Sequence, residues 1–289
     1  MIESYQQTNA RAFHRLSSFS NSPVTMKLFT TPTLIVICTL VKTIATAQEA
    51  PWGYKHNDPE MASPEQWAEH YPTCGGSRQS PINIETTTGG DLSTRSLSFS
   101  GSCGAFNLTQ TEESFKGAVV GGSCSVSASG ASYSLSQFHF HSPSEHTLNG
   151  QALDGEAHFV HSNGDGSALL VVGLFFQAGD YDTDSWIAPV LDGLDAVTPE
   201  KWQSLNLGSY GDLVNTKADA DRVYNYPGSL TTPSCNEIVD WWVIPTPVRL
   251  SSKDLERLQS NLKKLHVTDN GKNARPVQAL NDRTVASLK

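Results

Sequence analysis

Residues 123–141 read Ser-Cys-Ser-Val-Ser-Ala-Ser-Gly-Ala-Ser-Tyr-Ser-Leu-Ser-Gln-Phe-His-Phe-His and carry the clearest β pattern of the chain. Serine alternates with less polar residues from Ser123 to Gly130, and this period of two indicates a strand. The alternation slips at Gly130, where a turn or a bulge is expected. Beyond the slip, alternation predicts one face with Phe138 and Phe140 and an opposite face with Tyr133, Leu135, Gln137, His139 and His141.

Working outward, three more stretches have the apolar composition of strands: 156–160, 168–176 and 238–244. One helix is predicted over 251–264, because Ser251 and Asp254 make a capping start and leucines recur at helical spacing. Neither an internal repeat nor a long Ser/Gly linker divides residues 48–289. The sequence therefore predicts a single, mainly β domain over 48–289.

Composition excludes two broad classes of protein. The chain has 289 residues, with 38% hydrophobic and 17% charged residues, which is too apolar for a disordered protein. Its formal net charge is −9, and the sequence has no basic run of five or more residues. Nucleic acid is therefore not an expected partner, since phosphate binding needs a positive patch.

The first 47 residues have the features of a targeting segment. Met26-Lys27 precedes an apolar stretch over 34–44, and Ala45-Thr46-Ala47 supplies the small residues that precede signal-peptide cleavage. We interpret 1–47 as an N-terminal extension plus signal peptide, with Met26 as a possible true start; an extended targeting sequence is the alternative. The mature protein is then expected to be secreted, and residues 284–289 have no apolar tail that would indicate a membrane anchor.

Cysteine usage agrees with export. The chain has five cysteines, of which Cys38 lies in the predicted signal peptide. Four cysteines then remain in the mature chain: Cys74, Cys103, Cys124 and Cys235. Four cysteines allow three sets of disulfide pairings in an oxidising compartment. Four buried thiols are the alternative interpretation.

Histidines on two of the predicted strands suggest a metal site. His139 and His141 are two residues apart, so their rings share a face with roots about 6.5–7 Å apart. His158 lies on a second strand, on the same face as Glu156. Three imidazoles without a thiolate suit zinc with one open coordination position. Gln137 and Glu156 can accept the other N–H of a ligand ring.

The histidine pattern alone leaves alternatives open. Two histidines at this spacing are more often a polar surface or a satisfied core pair than metal ligands. His146 or His161 could also be the third ligand on spacing grounds. The spacing of His139, His141 and Glu145 matches the first half of the metal motif of cupin barrels as well.

Further motifs favour one family. The chain resembles the α-class carbonic anhydrases in five segments, which follow in the family's order and span 52–283. They are Trp52-Gly53-Tyr54; Arg78-Gln79-Ser80-Pro81-Ile82-Asn83-Ile84; the histidine segment from Gln137 to His158; Tyr226-Pro227-Gly228-Ser229-Leu230-Thr231-Thr232-Pro233; and Asn273-Ala274-Arg275-Pro276. The cupin alternative accounts for none of the other four segments.

The resemblance implies a large, twisted, mostly antiparallel central sheet with short peripheral helices and a conical cleft. It implies reversible hydration of carbon dioxide to bicarbonate and a proton, by attack of zinc-bound hydroxide. The implied zinc ligands are His139, His141 and His158. Gln137, Glu156 and Asn273 would be hydrogen-bond partners around them.

Two residues are implied to orient the nucleophile, and others to hold the substrate. Thr231 would accept a hydrogen bond from the hydroxide and donate its own proton to Glu145. The implied substrate pocket comprises Val160, Val171, Leu230, Thr232, Trp241 and Asn107. Sulfonamides and anions are the implied inhibitors. Asn107 begins an Asn-Leu-Thr glycosylation sequon, which we expect to be unused because a glycan there would obstruct the cleft.

Exported members of the family imply a disulfide between Cys74 and Cys235. Cys103 and Cys124 then remain as the second pair, which the resemblance does not itself supply. Some family members have lost a zinc histidine and act as binding modules, whereas all three histidines are present here.

One position departs from the family. Many fast members carry a histidine immediately before Ala105, where it passes the proton of the zinc-bound water to buffer, but this chain has Gly104. We therefore expect no proton-shuttle residue at Gly104 and a turnover that proton transfer limits. On this view, Gly104→His is expected to raise turnover in weak buffer.

Overall fold

The computed structural model of the chain describes residues 51–86, 90–91, 96–217 and 223–287. These residues belong to one compact unit, Ala47–Lys289. The predicted extension and signal peptide lie outside the described residues. Across the described ranges, no helix combines the length and the apolar character that crossing a membrane would require.

Strands dominate the regular structure. In chain order they are β1 (Asn83–Ile84), β2 (Gly90–Asp91), β3 (Leu97–Gln110), β4 (Phe115–Ala128), β5 (Ala131–His141), β6 (Thr147–Leu148), β7 (Gln151–Ala152), β8 (Gly155–Ser162), β9 (Leu169–Gly179), β10 (Gln203–Asn206), β11 (Tyr224–Gly228), β12 (Val239–Ser251) and β13 (Ala286–Ser287). The stretches predicted at 156–160, 168–176 and 238–244 are confirmed as parts of β8, β9 and β12, although β9 and β12 each begin one residue later than the predicted stretch.

One large sheet contains ten of these strands, in the order β10-β3-β4-β5-β8-β9-β12-β11-β13-β2. Its β9–β12 and β13–β2 pairs are parallel, and the other neighbouring pairs in the described part of the chain are antiparallel. Strands β1, β6 and β7 form a separate small sheet. The predicted fold class, a mainly β domain with a large, mostly antiparallel sheet, is confirmed.

The helices are short and lie before β1 or in the segments that connect the strands. They are α1 (Trp67–His70), α2 (Ala188–Ala196), α3 (Tyr210–Lys217) and α4 (Ser252–Leu262), and a 3-10 helix covers Pro72–Gly75. Helix α4 begins where predicted, because Ser251 Oγ accepts a hydrogen bond from the Asp254 N–H at 3.1 Å. Leu258 and Leu262 on its apolar stripe are buried. The helix ends two residues before the predicted boundary.

Two apolar clusters form the core, one on each face of the large sheet. The larger includes Phe138 and Phe159, and the smaller includes Val160 and Trp241. Because neighbouring residues of a strand point to opposite faces, Phe159 and Val160 in β8 assign the two clusters to opposite faces. The histidines at 139, 141 and 158 lie on the face of the smaller cluster.

A bulge in β5 corrects one prediction. Leu135 pairs with His161, but Gln137 pairs with the adjacent Val160, so β5 contains one extra residue between these pairs. An extra residue inverts the alternation of a strand. Leu135 therefore packs in the larger cluster beside Phe138, and Tyr133 packs against that cluster. The prediction that Tyr133 and Leu135 share the face of His139 and His141 is wrong.

The pairing of β4 with β5 is also irregular. The hairpin turn leaves Ser125 opposite Ser134, but further from the turn Ala118 lies opposite Gln137. Ala118 and Ser125 are seven positions apart in β4, whereas their partners Gln137 and Ser134 are only three positions apart in β5. This shift brings the first residues of β4 beside His139.

The structure contains both expected disulfides. Cys74 bonds to Cys235 with a Cα–Cα distance of 4.9 Å, and Cys103 bonds to Cys124 with a distance of 5.4 Å. The first joins the 3-10 helix to the segment that follows Thr232. The buried guanidinium of Arg275 supports this connection, since its Nη2 donates to the Cys74 carbonyl at 3.0 Å.

Candidate metal centre

Three histidine rings converge on the face of the smaller cluster. His139 lies opposite His158 in the β5–β8 pair, and His141 follows two residues later on the same face. The rings of His141 and His158 have centroids 4.5 Å apart, and the His139 ring lies 5.1 and 5.2 Å from them. One nitrogen from each ring lies within 4.8 Å of the others, which is an arrangement that could hold a metal ion.

The remaining nitrogen of each ring has a hydrogen-bond acceptor. His139 Nδ1 lies 2.9 Å from Gln137 Oε1, and His141 Nδ1 lies 2.8 Å from the Asn273 carbonyl oxygen. His158 Nε2 lies 3.0 Å from Glu156 Oε1. These acceptors fix the tautomers, so that His139 Nε2, His141 Nε2 and His158 Nδ1 are the nitrogens free to bind a metal.

Burial favours the neutral rings. It lowers the pKa of His139 well below the usual value, and the charges of His141, His158 and Lys116 act in the same direction. Burial also lowers the pKa of His141, although Glu145 opposes the shift. Both rings are therefore neutral at pH 7, which is the form that binds a metal ion.

The unsatisfied atoms of the site support a bound cation. His141 Nε2 and Glu145 Oε2 are buried and have no hydrogen-bond partner among the described residues. The two atoms lie 3.5 Å apart, and Glu145 Oε2 lies 3.9 Å from His158 Nδ1. Buried polar atoms without partners cost free energy, and a cation among the three rings would remove that cost. Three imidazoles with this geometry fit zinc.

The two alternative candidates for the third ligand, His146 and His161, already have hydrogen-bond partners at both ring nitrogens. His146 Nδ1 lies 2.7 Å from Glu156 Oε1, and its Nε2 lies 2.6 Å from the Tyr226 hydroxyl. His161 projects to the other face of the sheet, where its ring forms hydrogen bonds with the Leu170 carbonyl and the Tyr210 hydroxyl. Burial lowers the pKa of His161 to about 4. The hydrogen-bonding atoms of both rings are satisfied, in contrast to His141 Nε2.

Glu156 joins the metal centre to a buried hydrogen-bond network. Its Oε2 accepts the backbone N–H groups of Glu145 and His146 at 3.0 and 2.9 Å. Burial alone would raise the pKa of Glu156, but the charges and hydrogen bonds of His146 and His158 hold it well below its usual range. Glu156, His146 and His158 form a second group with metal-ligand spacing. Both Glu156 oxygens already accept hydrogen bonds, so this group does not need an ion.

Glu145 and Thr231 lie at the same centre, but the hydrogen bond expected between them is not formed. Glu145 Oε1 accepts the Arg275 backbone N–H at 2.9 Å, and Oε2 has no hydrogen-bond partner in the described part of the chain. The reason is that Oε2 is turned toward the rings of His141 and His158. Thr231 is buried and lines the cavity above the rings.

A cavity of about 240 Å³ opens over the three histidines. Five of the expected substrate-pocket residues line it: Val160, Val171, Leu230, Thr232 and Trp241. The expected residue Asn107 does not line the cavity; it is half-buried and lies in the sheet between Ser204 and Ala118. The pairing of Asn107 on both sides is consistent with an unused sequon.

Sequence reasoning missed one wall of this cavity. Glu113, Ser114, Phe115 and Lys116, where β3 turns into β4, all line it. No sequence signal indicated them, because the register shift between β4 and β5 is not visible in the residue pattern. Trp52 and Tyr54 also line the cavity, and they belong to the first family motif.

The structure changes the expectation for Gly104. A Cβ atom at this position would lie 2.6 Å from the Leu207 carbonyl oxygen, and the Leu207 N–H donates to the Gly104 carbonyl at 2.7 Å. Any side chain at 104 would thus displace the neighbouring backbone. A histidine at position 104 does not fit unless the backbone near Leu207 moves. We therefore no longer expect Gly104→His to raise turnover.

The fold and the centre together define a mainly β protein with a three-histidine site that could hold a metal ion, below a small cavity. Comparison with known proteins gives the same class. The family model for eukaryotic-type carbonic anhydrase matches residues 62–289. The chain belongs to this carbonic anhydrase family, whose activity is the hydration of carbon dioxide.

Individual relatives are similar over most of their length. A carbonic anhydrase of Neisseria gonorrhoeae is 30% identical over 259 residues, which cover 88% of this chain and 95% of the relative. The structure of the α-carbonic anhydrase from Thermovibrio ammonificans with the inhibitor sulfanilamide is 31% identical, with a TM-score of 0.69 and coverage of 83% and 100% of the two chains. Dioscorin complexed with ascorbate is 27% identical, with a TM-score of 0.71 and coverage of 82% and 98%.

Proposed function

We propose that this chain is a zinc-dependent carbonic anhydrase in which His139, His141 and His158 hold the metal. The observation that carries the proposal is the buried His141 Nε2, which has no hydrogen-bond partner in the described residues and faces two other imidazole nitrogens. When bound there, zinc supplies the nucleophile, because it lowers the pKa of a coordinated water from 15.7 to about 7 and makes hydroxide available at neutral pH.

The protein's own part is to orient the reactants. A Thr231 hydroxyl that donates to Glu145 can only accept a hydrogen bond from the nucleophile, which directs a lone pair toward the substrate. Glu145 Oε2 has no hydrogen-bond partner among the described residues, and it would have to turn from the two histidine rings to receive that donation. Val160, Val171 and Leu230 give the cavity an apolar wall for carbon dioxide, which has no net dipole. The Thr231 N–H would hold an anionic product or inhibitor.

Wild-type protein is expected to contain one zinc per chain and to hydrate carbon dioxide in stopped-flow assays. In Thr231→Val, zinc should stay while kcat/KM falls by about 100-fold, since misorientation of a reactant has an effect of that size. Thr231→Ser keeps the hydroxyl and serves as the matched control. Loss of zinc in Thr231→Val, or full activity in that variant, would contradict the assigned role.

A binding protein is the second candidate function. The relative dioscorin has been crystallised with ascorbate, which is an organic anion. Zinc content and hydration activity together separate the two candidates: folded protein that lacks both would be a binding module. The intact histidine set favours the enzyme.

The protein is further proposed to be exported. The apolar stretch over 34–44 followed by Ala45-Thr46-Ala47 supports a signal peptide. The two disulfides agree with an oxidising compartment. A mature N-terminus at Gln48 is the expected product.

Proton release is expected to limit turnover. Each hydration leaves a proton that must reach buffer, and Gly104 has no titratable side chain. His56 is exposed, and its Nδ1 lies 3.3 Å from Glu65 Oε2. His56 does not line the cavity over the three histidines. We expect small imidazole buffers to raise kcat without changing kcat/KM. A kcat independent of buffer concentration would show that another group carries the proton.

A further inference from the structure

The cavity over the histidines carries a fixed positive charge on one wall. Lys116 is the second residue of β4 and lies opposite Thr109 of β3. The next residue, Gly117, lies opposite Phe138, so Lys116 is one step along the strand toward His139. Since Ala118 pairs with Gln137 on the metal-binding face, alternation places Lys116 on that face too.

The side chain of Lys116 is available to a ligand. It is exposed and lines the cavity together with the three histidines. No carboxylate forms an ion pair with Lys116 among the described residues. An ammonium group without an ionic partner can therefore interact with a ligand that enters the cavity.

One acidic side chain lies on the same wall of the cavity as Lys116. Glu113, which precedes β4, lines the same cavity and is exposed. Apart from the three histidines, Glu113 and Lys116 are the acidic and basic side chains among the residues that line the cavity. The two charges lie on the same wall, while Val160, Val171 and Leu230 are apolar. The cavity therefore has one charged wall. A ligand near Lys116 meets a positive charge there, and a ligand near Glu113 meets a negative charge.

We propose that Lys116 is an anion-recognising residue of this cavity and favours ligands with a negative charge remote from the group that the three histidines hold. The inference rests on the proposed function, because it requires that a ligand be anchored at the histidines. Bicarbonate is an anion too, so the same charge favours entry of substrate in the dehydration direction.

Two sulfonamides that differ at one end provide the test. Sulfanilamide has a neutral amino group opposite its sulfonamide, and 4-sulfamoylbenzoate has a carboxylate there. Both are titrated into the zinc-loaded protein by calorimetry at low salt. Lys116→Gln should weaken 4-sulfamoylbenzoate about threefold, within the range of exposed ion pairs, and leave sulfanilamide unchanged. Lys116→Glu should weaken the carboxylate probe by about tenfold.

Matched variants give the controls. Lys253→Gln removes a lysine that lines a different cavity and should change neither affinity. Glu113→Gln should tighten 4-sulfamoylbenzoate by about twofold, and 0.5 M salt should remove most of the Lys116 effect by screening. Equal changes for both probes in Lys116→Gln, or no change for either, would overturn the inference. Failure of both probes to bind wild-type protein would instead overturn the proposed zinc function and the inference with it.

Discussion

His141→Ala should abolish zinc binding, carbon dioxide hydration and sulfonamide binding together. His141 supplies one of three converging nitrogens, and its Nε2 is buried with no hydrogen-bond partner among the described residues. Loss of a residue that merely orients a ligand typically costs 10- to 100-fold in metal affinity or activity, so loss of a ligand should cost more than about 100-fold. Metal analysis, stopped-flow hydration and calorimetry with sulfanilamide measure the three effects.

Two comparisons separate this loss from general damage. His266→Ala removes an exposed histidine outside the metal centre and should leave zinc and activity intact. Removing zinc from wild-type protein with a chelator should reproduce the His141→Ala phenotype, and added zinc should restore activity. Sulfonamide binding to the metal-free protein would contradict the assignment of the three histidines.

Replacing Cys74 and Cys235 by alanine should lower the free energy of unfolding by about 5 kcal/mol. The disulfide joins residues separated by 161 positions, and the entropy that a crosslink removes from the unfolded chain grows with loop length. Urea unfolding at 25 °C without reductant measures the loss. The variant should also lose activity at lower urea than wild type, because the Cys235 N–H bonds to the Thr232 carbonyl at 2.8 Å beside Thr231.

The second disulfide is the internal control. Cys103 and Cys124 are separated by 21 positions, so their double alanine variant should lose only about 3 kcal/mol. A larger loss in this variant than in the Cys74/Cys235 variant would contradict the loop-length argument. Non-reducing peptide mapping tests the pairing itself, and a Cys103–Cys235 peptide would refute it.

Local patterns in the sequence predicted part of β4, the strands β5, β8, β9 and β12, and the start of helix α4. Alternation located β5 and the histidines on it, and Ser251 with Asp254 located the start of α4. Three histidines were selected from nine by resemblance to a family, not by spacing, which left His146 and His161 open. The structure separates these candidates physically, because His161 projects to the opposite face and His146 is saturated with hydrogen bonds.

What the sequence did not predict depends on strand register. Continuing the β4–β5 hairpin without irregularity would place Val120 opposite His139, whereas the shift between Ala118 and Ser125 places Gly117 opposite Phe138, so that Lys116 is the next residue toward His139. On its other edge β4 pairs with β3, and that pairing has its own irregularities between Ser102 and Phe106. The register of a strand with each of its two neighbours depends on the tertiary structure, and the local residue pattern does not predict it.

The bulge in β5 also bears on any attempt to graft this site onto another scaffold. Its extra residue lets one strand bury Leu135 with the aromatic core and still aim His139 into the cavity. A designer who copied only His139 and His141 onto a regular strand would have to choose between the original packing upstream and the original ligand direction. Deleting Ser136 would pose the same choice inside this protein, so the transferable unit is the whole of β5 with its irregularity.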